Sequence, residues 1–167
     1  EFFFTQLGPG QFEIDATTAF AGEVVLSRMR VHPLAAGIVV PAPAFVAIVV
    51  PLRCKGRYLF NGVALTPTSF GLAGGRNGYH THGDDRESIT VGLSRSRFTS
   101  TIAALRGVDP DEIRLDDHVL NLPGPVAAQL RERLMAIVTH CSGQGSWSDS
   151  ELGRHIIKTE VYQLLVD

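Results

Sequence analysis

The sequence predicts an α+β fold in which a β-barrel or β-sandwich is followed by amphipathic helices packed on it. Residues 1–94 are rich in Val, Phe, Thr, Gly and Pro, arranged as short apolar runs between turn residues. That texture is typical of a barrel or sandwich. After residue 94 the apolar residues recur with a helical period. We therefore predict a barrel region over 1–94 and a helical region over 95–167.

Several stretches of the barrel region predict strands. Residues 23–32 (EVVLSRMRVH) and 43–52 (PAFVAIVVPL) are apolar runs, and prolines suited to strand ends flank the second. Residues 57–67 place Asn61-Gly62 between two apolar runs, which strongly favours a two-residue hairpin. Residues 87–94 alternate apolar with small or polar side chains, so we expect one buried face and one that is not.

The first element of the helical region is a short helix. Phe98, Ile102 and Leu105 share one of its faces, and Gly107 ends it. An Asp-rich connector over 111–123 follows, with a brief strand or turn.

Two longer amphipathic helices complete the chain. The first begins near Pro125, which suits a first helical turn, and runs to residue 141. The second runs over 150–167, and Ser148 with Glu151 predicts a capping box at its start.

Composition limits the possible functions. With 167 residues, 44% hydrophobic and 19% charged, the chain suits one globular domain. A net charge of −2 gives no basic excess with which this piece alone would hold a nucleic-acid backbone. The most apolar stretch, residues 39–52, contains three prolines and is too short for a bilayer, so we expect no membrane partner.

The cysteines and the two ends of the chain indicate its cellular location and its relation to a longer protein. Cys54 and Cys141 form no paired motif, and no export signal opens the sequence, so we expect reduced cysteines and a cytoplasmic location. The chain starts at Glu and stops within an apolar helical pattern, as expected for a piece of a longer protein. Only Lys55 and Lys158 are lysines among 15 basic residues, which is typical of a GC-rich bacterial source.

Residues 74–87, GGRNGYHTHGDDRE, present a possible metal site. His80 and His82 are two apart, so on a strand both point the same way, and two histidines with Glu87 can hold a divalent metal. Alternatively, Gly83-Asp84-Asp85 predicts a turn directly after the second histidine. On that hypothesis the histidines are polar residues near a strand end.

The barrel interior is the default ligand pocket. Arg28, Arg30 and His32 alternate along one predicted strand and share a face. Facing inward they would receive a carboxylate or phosphate, because a buried arginine needs an anionic partner. We favour the outward orientation for both arginines, since unpaired arginine is rarely buried.

The opposite face of that strand then points inward. It carries Val25, Met29 and Val31. Phe45 and Val49 share a face of the proline-flanked strand, and Tyr79 lies near the turn. These aromatic and aliphatic side chains either line a pocket or simply fill the core.

Four strings resemble the N-terminal half of AraC-family transcription regulators. They are GEVVLSRMRVHP, FNGVALTP, ITVGLSRSRFTSTIAAL and HVLNLPGPVAAQLRERLMAIV. The resemblance covers most of residues 20–167 and consists of element order and texture. It implies a cupin-like sensor and dimerisation domain without enzymatic activity or cofactor. The family's DNA-binding helix-turn-helix region would follow residue 167.

The resemblance implies a small-molecule effector and a homodimer. The candidate ligand-binding residues are Met29, Val31, His32, Phe45, Tyr79, His80 and His82. The candidate dimer contacts are Leu130, Leu134, Ile137 and Val138, although packing on the barrel explains the same apolar face equally well.

Two other hypotheses remain. The spacing Gly74-x5-His80-x-His82-x4-Glu87 resembles the first motif of metal-binding cupins, which implies a metal-dependent enzyme using His80, His82 and Glu87. The second cupin motif, with its further histidine on a later strand, is missing. A plain dimerisation module with a filled barrel is the third hypothesis.

Overall fold

The computed structural model describes residues 1–75, 77–141 and 149–166, without the side chains of 165 and 166. The strands are β1 (Phe2–Gln6), β2 (Glu13–Ala21), β3 (Val24–His32), β4 (Ala35–Val39), β5 (Phe45–Phe60), β6 (Val63–Leu65), β7 (Ser69–Ala73), β8 (Tyr79–Ser94) and β9 (His118–Asn121). The helices are α1 (Arg95–Arg106), a 3-10 turn (Pro110–Glu112), α2 (Gly124–His140) and α3 (Glu151–Val166). Strand β8 ends where α1 begins, at residues 94 and 95.

Two long strands, β5 and β8, join the two halves of the barrel. They pair with each other from Phe45↔Ser94 to Phe60↔Thr81, with register shifts between Pro51 and Leu59. The first half of β8 also pairs with β4, and its second half pairs with β3. Strand β2 extends the sheet beyond β3, β1 extends it beyond β4, and β7 with β9 extends it beyond β5. The result is a bent antiparallel sheet that folds back on itself around an interior.

A bulge at Asp85 reverses which residues of β8 face the interior. Asp85 has φ 41°, a backbone conformation that aspartate tolerates better than most residues. Tyr79 and Thr81 face the interior before the bulge, and the even-numbered Ser88 and Thr90 do so after it. The predicted turn at 83–85 was therefore wrong: the segment remains in one strand because its neighbours keep pairing on both sides.

The main apolar core lies between the outer face of the sheet and the helices. Ile89, Val91 and Leu93 of β8 share this core with Leu134 of α2 and Ile157 of α3. We expected residues 87–94 to have one buried face and one face that is not buried, and this expectation was only partly correct. The apolar face is covered by helices, and the small or polar face lines the interior.

Local sequence signals predicted several ends of elements correctly. Asn61 (φ 47°) and Gly62 (φ 80°) form the hairpin turn between β5 and β6. The Ser94 hydroxyl accepts a hydrogen bond from the Arg97 backbone N–H at the start of α1, and Gly107 (φ 67°) ends that helix. The predicted cap Ser148 lies outside the described residues.

The Gly-rich stretch that begins at Gly71 starts inside β7. Gly71 pairs with Val49 of β5 within that strand. A side chain would not fit there, because a Cβ would approach the Phe60 ring to 2.6 Å. Strands β1, β2 and β4 were not predicted from the sequence. Within the described residues, no helix has the length and apolar character needed to cross a membrane.

Candidate ligand-binding cavity

The interior of the barrel contains a cavity of about 610 Å³, which we call the barrel cavity. Strands β3 and β8 supply most of its lining, and Phe2 and Phe4 of β1 contribute to it as well. It opens to solvent along β2, where Ala16, Thr18 and Phe20 line it and are exposed. A cavity of this size, lined mainly by apolar and aromatic side chains, is typical of a small-molecule site.

Four candidate ligand-binding residues line the barrel cavity. They are Met29, Val31, Phe45 and Tyr79. Val25 lines it as well, so the predicted inward face of β3 is confirmed. Val49 is buried instead in the inner apolar cluster around Phe60 and Tyr79, whose rings stack with centroids 5.2 Å apart.

Hydroxyl groups form the polar part of the cavity wall. The buried Tyr58 hydroxyl donates to Ser88 Oγ at 3.2 Å, and the Tyr79 hydroxyl lies 3.5 Å from Thr90 Oγ1. Burial raises the pKa of Tyr58 and of Tyr79 above the ordinary value, so both hydroxyls stay protonated at neutral pH. The wall therefore offers neutral hydrogen-bonding groups.

Arg86 is a charged side chain inside the barrel that the sequence analysis missed. It is 2% exposed and lines the cavity. Its Nη1 donates to the backbone oxygens of Ala35 and Gly83, each at 2.8 Å, and its Nη2 donates to Thr81 Oγ1 at 3.2 Å. The sequence did contain a signal for this position. Arg86 continues the period-two series of Ser88, Thr90 and Gly92, so on a regular strand it shares their face.

Two aromatic rings flank the Arg86 guanidinium. Its central carbon lies 5.4 Å from the centroid of Phe4 and 5.8 Å from that of Tyr58, within the range of a cation–π interaction. Within the described part of the chain no carboxylate forms an ion pair with Arg86. Burial lowers the pKa of Arg86, yet arginine remains charged at neutral pH.

The predicted basic face of β3 points away from the cavity. Arg28 Nε donates to Glu87 Oε1 at 2.6 Å, and Arg30 Nη2 lies 3.0 Å from Asp85 Oδ1. The favoured outward orientation of both arginines is therefore confirmed. His32 belongs to the same outer surface, with its Nδ1 3.8 Å from Asp85 Oδ1, and it does not line the barrel cavity.

The two histidines of the possible metal site also lie outside the barrel cavity. His80 and His82 line a separate surface groove of about 410 Å³ together with Phe3 and Leu59. They project outward because the residues that alternate with them, Tyr79 and Thr81, face the interior. Their candidate role in the barrel cavity is thereby corrected.

Glu87 is not brought to the histidines. Its carboxylate bonds Arg28 through Oε1 and Arg53 Nε through Oε2, the latter at 3.1 Å. Among the described residues no three His, Cys, Asp or Glu side chains are grouped so as to hold a metal ion. The proposed ligand set His80, His82 and Glu87 therefore does not assemble in this structure.

Cys54 is not activated as a nucleophile. Burial raises the pKa of its thiol, and its Sγ donates to the backbone oxygen of Asp84 at 3.3 Å. The flanking basic residues, Arg53 and Lys55, pair instead with carboxylates on β8. The thiol is therefore less ionised than a free cysteine.

The candidate dimer contacts of α2 face the barrel. Leu134, Ile137 and Val138 are buried at 1–4% exposure in the main core, and Leu130 packs partly buried against it. This is the intramolecular alternative, and these three side chains have no free surface for a second chain. Whether the helices also pair across a dimer stays a prediction.

Comparison with known proteins identifies the fold. No family model matches the sequence, and no curated protein sequence matches it. The crystal structure of the AraC-like transcriptional activator CuxR superposes with a TM-score of 0.62 at 13% sequence identity. The match covers 99% of this chain and 62% of that chain. The chain thus spans less than two thirds of the length of this neighbour.

Two further structural matches have TM-scores below 0.5. Rru_A2000 from Rhodospirillum rubrum, a cupin-2 domain, gives a TM-score of 0.38 at 14% identity, over 86% of this chain and 90% of that one. An oxalate decarboxylase gives 0.33 at 12% identity, over 71% and 39%. The predicted α+β class is confirmed: the chain is a bent antiparallel β-sheet with helices packed on it, and its fold is similar to that of the AraC-like activator CuxR.

Proposed function

We propose that this chain is the effector-sensing and dimerisation domain of an AraC-family DNA-binding regulator. The observation that carries the proposal is the half-open barrel cavity of about 610 Å³, in a fold shared with an AraC-like activator. The role is binding rather than catalysis, and it is exercised in the cytoplasm. DNA is contacted by a region beyond this chain.

A single layer of sheet separates the cavity from the helices. This arrangement supports a route by which ligand binding in the cavity could reach the helices. In β8, Ser88 and Thr90 line the cavity, whereas Ile89 and Val91 lie in the core shared with the helices. A ligand that shifts β8 therefore changes the surface on which α2 and α3 pack. Such a ligand favours one of two arrangements of barrel and helices, and its differential affinity sets the size of the response.

The proposal includes a homodimer formed through the helices. Val126 of α2 is 44% exposed and Leu152 of α3 is 70% exposed, so both helices carry apolar surface besides the face on the barrel. Sedimentation velocity tests this part. We expect a concentration-dependent dimer that Val126→Glu or Leu152→Glu weakens, and a wild-type chain that stays monomeric at 100 μM would contradict it.

A thermal-shift screen of small metabolites tests effector binding. A ligand at 100 times its Kd stabilises by about 2.7 kcal/mol. A domain of this size gains roughly 2–4 °C in Tm per kcal/mol. We therefore expect a true effector to raise Tm by roughly 5–10 °C.

A cavity-filling variant shows where the ligand binds. Ser27→Phe adds a ring inside the barrel cavity, because Ser27 lines it. Ser100→Phe adds the same ring on the exposed surface of α1 and is the matched control. The effector should lose its Tm shift in the first variant alone, and an equal shift in both would place binding elsewhere.

A further inference from the structure

We propose that the barrel cavity takes an anionic ligand with an apolar body, whose carboxylate or phosphate pairs with Arg86. This inference rests on the proposed sensing role and specifies the chemical class of the effector. The evidence is the position of the guanidinium, the charge of the cavity and the character of the surrounding wall.

The charge inside the barrel is not balanced by the protein. Arg86 donates to two backbone carbonyls and one hydroxyl, all of them neutral acceptors. The other charged residue that lines the cavity, Glu1, is exposed and lies in the chain-terminal segment beside β1. A buried charge without a counter-charge is costly, so the site favours an anion that supplies one.

The guanidinium retains donor capacity for a ligand. It has five N–H donors, and three of them reach the acceptors named above. Those three bonds and the flanking Phe4 and Tyr58 rings fix its plane, so little side-chain entropy is lost when an anion binds. Nearby Ser88 and Thr90 offer hydroxyls to the same head group.

The rest of the cavity requires an apolar ligand body. Four strands supply aromatic rings and aliphatic chains to its wall, namely Phe2, Phe4, Phe20, Val25, Met29 and Phe45. Phe20 is 64% exposed and Phe2 is 55% exposed, so both rings meet solvent as well as the cavity. A ligand tail that reaches the opening would cover these rings, which are costly to leave in water.

Arg86 also braces the barrel, since it ties β8 to the Ala35 carbonyl of β4. A purely structural role predicts the same three hydrogen bonds but no preference for charged ligands. The test therefore compares head groups on one apolar body in the unaltered protein: octanoate, octyl phosphate and the neutral octanamide. Isothermal titration calorimetry at 0.15 M salt gives each Kd.

We expect octanoate or octyl phosphate to bind at least tenfold more tightly than octanamide. The tighter of the two anions identifies the head group as carboxylate or phosphate. Arg86→Gln should reduce the preference to less than threefold. Arg28→Gln, which removes an outward arginine on the adjacent strand, should leave it unchanged.

Equal binding of octanamide and both anions to the wild-type chain would overturn the inference while leaving the sensing role intact. A preference that survives in Arg86→Gln would overturn it as well. If Arg86→Gln does not fold, the affinities of the wild-type chain for the two anions and for octanamide test the inference without it. Failure of all three compounds to bind below 1 mM would also overturn it, and the metabolite screen then judges the sensing role separately.

Discussion

Asp85 and Arg86 are neighbours in β8, yet their side chains lie on opposite sides of the barrel wall. Asp85 Oδ1 is 3.0 Å from Arg30 Nη2 on the outer surface, whereas the Arg86 guanidinium lies inside the barrel near Phe4 and Tyr58. Asp85, with its positive φ, forms the bulge. Odd-numbered residues of β8 face the interior before it, and even-numbered residues face the interior after it. One backbone irregularity thus places a charge in the cavity.

The outer ion pairs of Asp85 should make stability depend on pH. A hydrogen bond from Arg30, reinforced by the charges of Arg30 and Arg53, holds the pKa of Asp85 below its ordinary value. A lowered folded-state pKa adds stability above the unfolded-state value, near 3.9, which is lost as pH falls through the folded-state value. Because Arg30 and Arg53 are about half exposed, we expect no more than about 1 kcal/mol.

Asp85→Asn isolates that charge, because asparagine also tolerates the positive φ. Urea unfolding should show a loss of at most about 1 kcal/mol at pH 7 that shrinks progressively as the pH falls below the unfolded-state value near 3.9. A loss that does not change with pH would instead indicate a change in the backbone at the bulge.

Leu134→Ala should cost about 2–5 kcal/mol, because the side chain is 1% exposed and its removal leaves a cavity between α2 and the sheet. Leu105→Ala, on an exposed position of α1, is the control and should change stability by less than about 0.5 kcal/mol. The loss at Leu134 should not vary with protein concentration. A loss that grew on dilution would make Leu134 a dimer contact.

Gly71→Ala should destabilise by about 1–3 kcal/mol, since the added methyl meets the buried Phe60 ring at 2.6 Å. Gly124→Ala, at the start of α2, meets no atom within 4 Å and is the matched substitution. It should be neutral or slightly stabilising, because alanine is the better helix former. Thermal unfolding of both variants measures the difference, and equal Tm values would contradict the packing described for β7.

Elemental analysis of the purified chain should find no stoichiometric transition metal. His80 and His82 lie in the surface groove, and Glu87 is held by Arg28 and Arg53. His80→Ala and His82→Ala should therefore not alter metal content. About one metal per chain that both variants lose would restore the metal-enzyme hypothesis.

The elements that the sequence predicted well depend on local chemistry. Asn61-Gly62 specifies its hairpin, and Ser94 and Gly107 mark the ends of α1, because cap and turn preferences act within a few residues. The inward set Val25, Met29 and Val31 also followed from alternation along one regular strand.

The parts that were missed depend on tertiary context. Alternation of side chains holds only while a strand stays regular. The string GDDR is compatible with a turn as well as with a bulge at Asp85, so the sequence alone does not distinguish them. For this reason His80 and His82 were candidates for the interior and Arg86 was overlooked. The buried side of residues 87–94 was equally ambiguous, since both of its faces are covered by protein or line the cavity.

The most direct test of ligand binding inside the barrel is an NMR titration of the 15N-labelled chain with octanoate. We expect the largest amide shifts to cluster on the cavity wall, at Arg86, Ser88 and Thr90, with smaller shifts spreading to α2. Shifts centred on the His80 and His82 groove, or no shifts at millimolar octanoate, would contradict it.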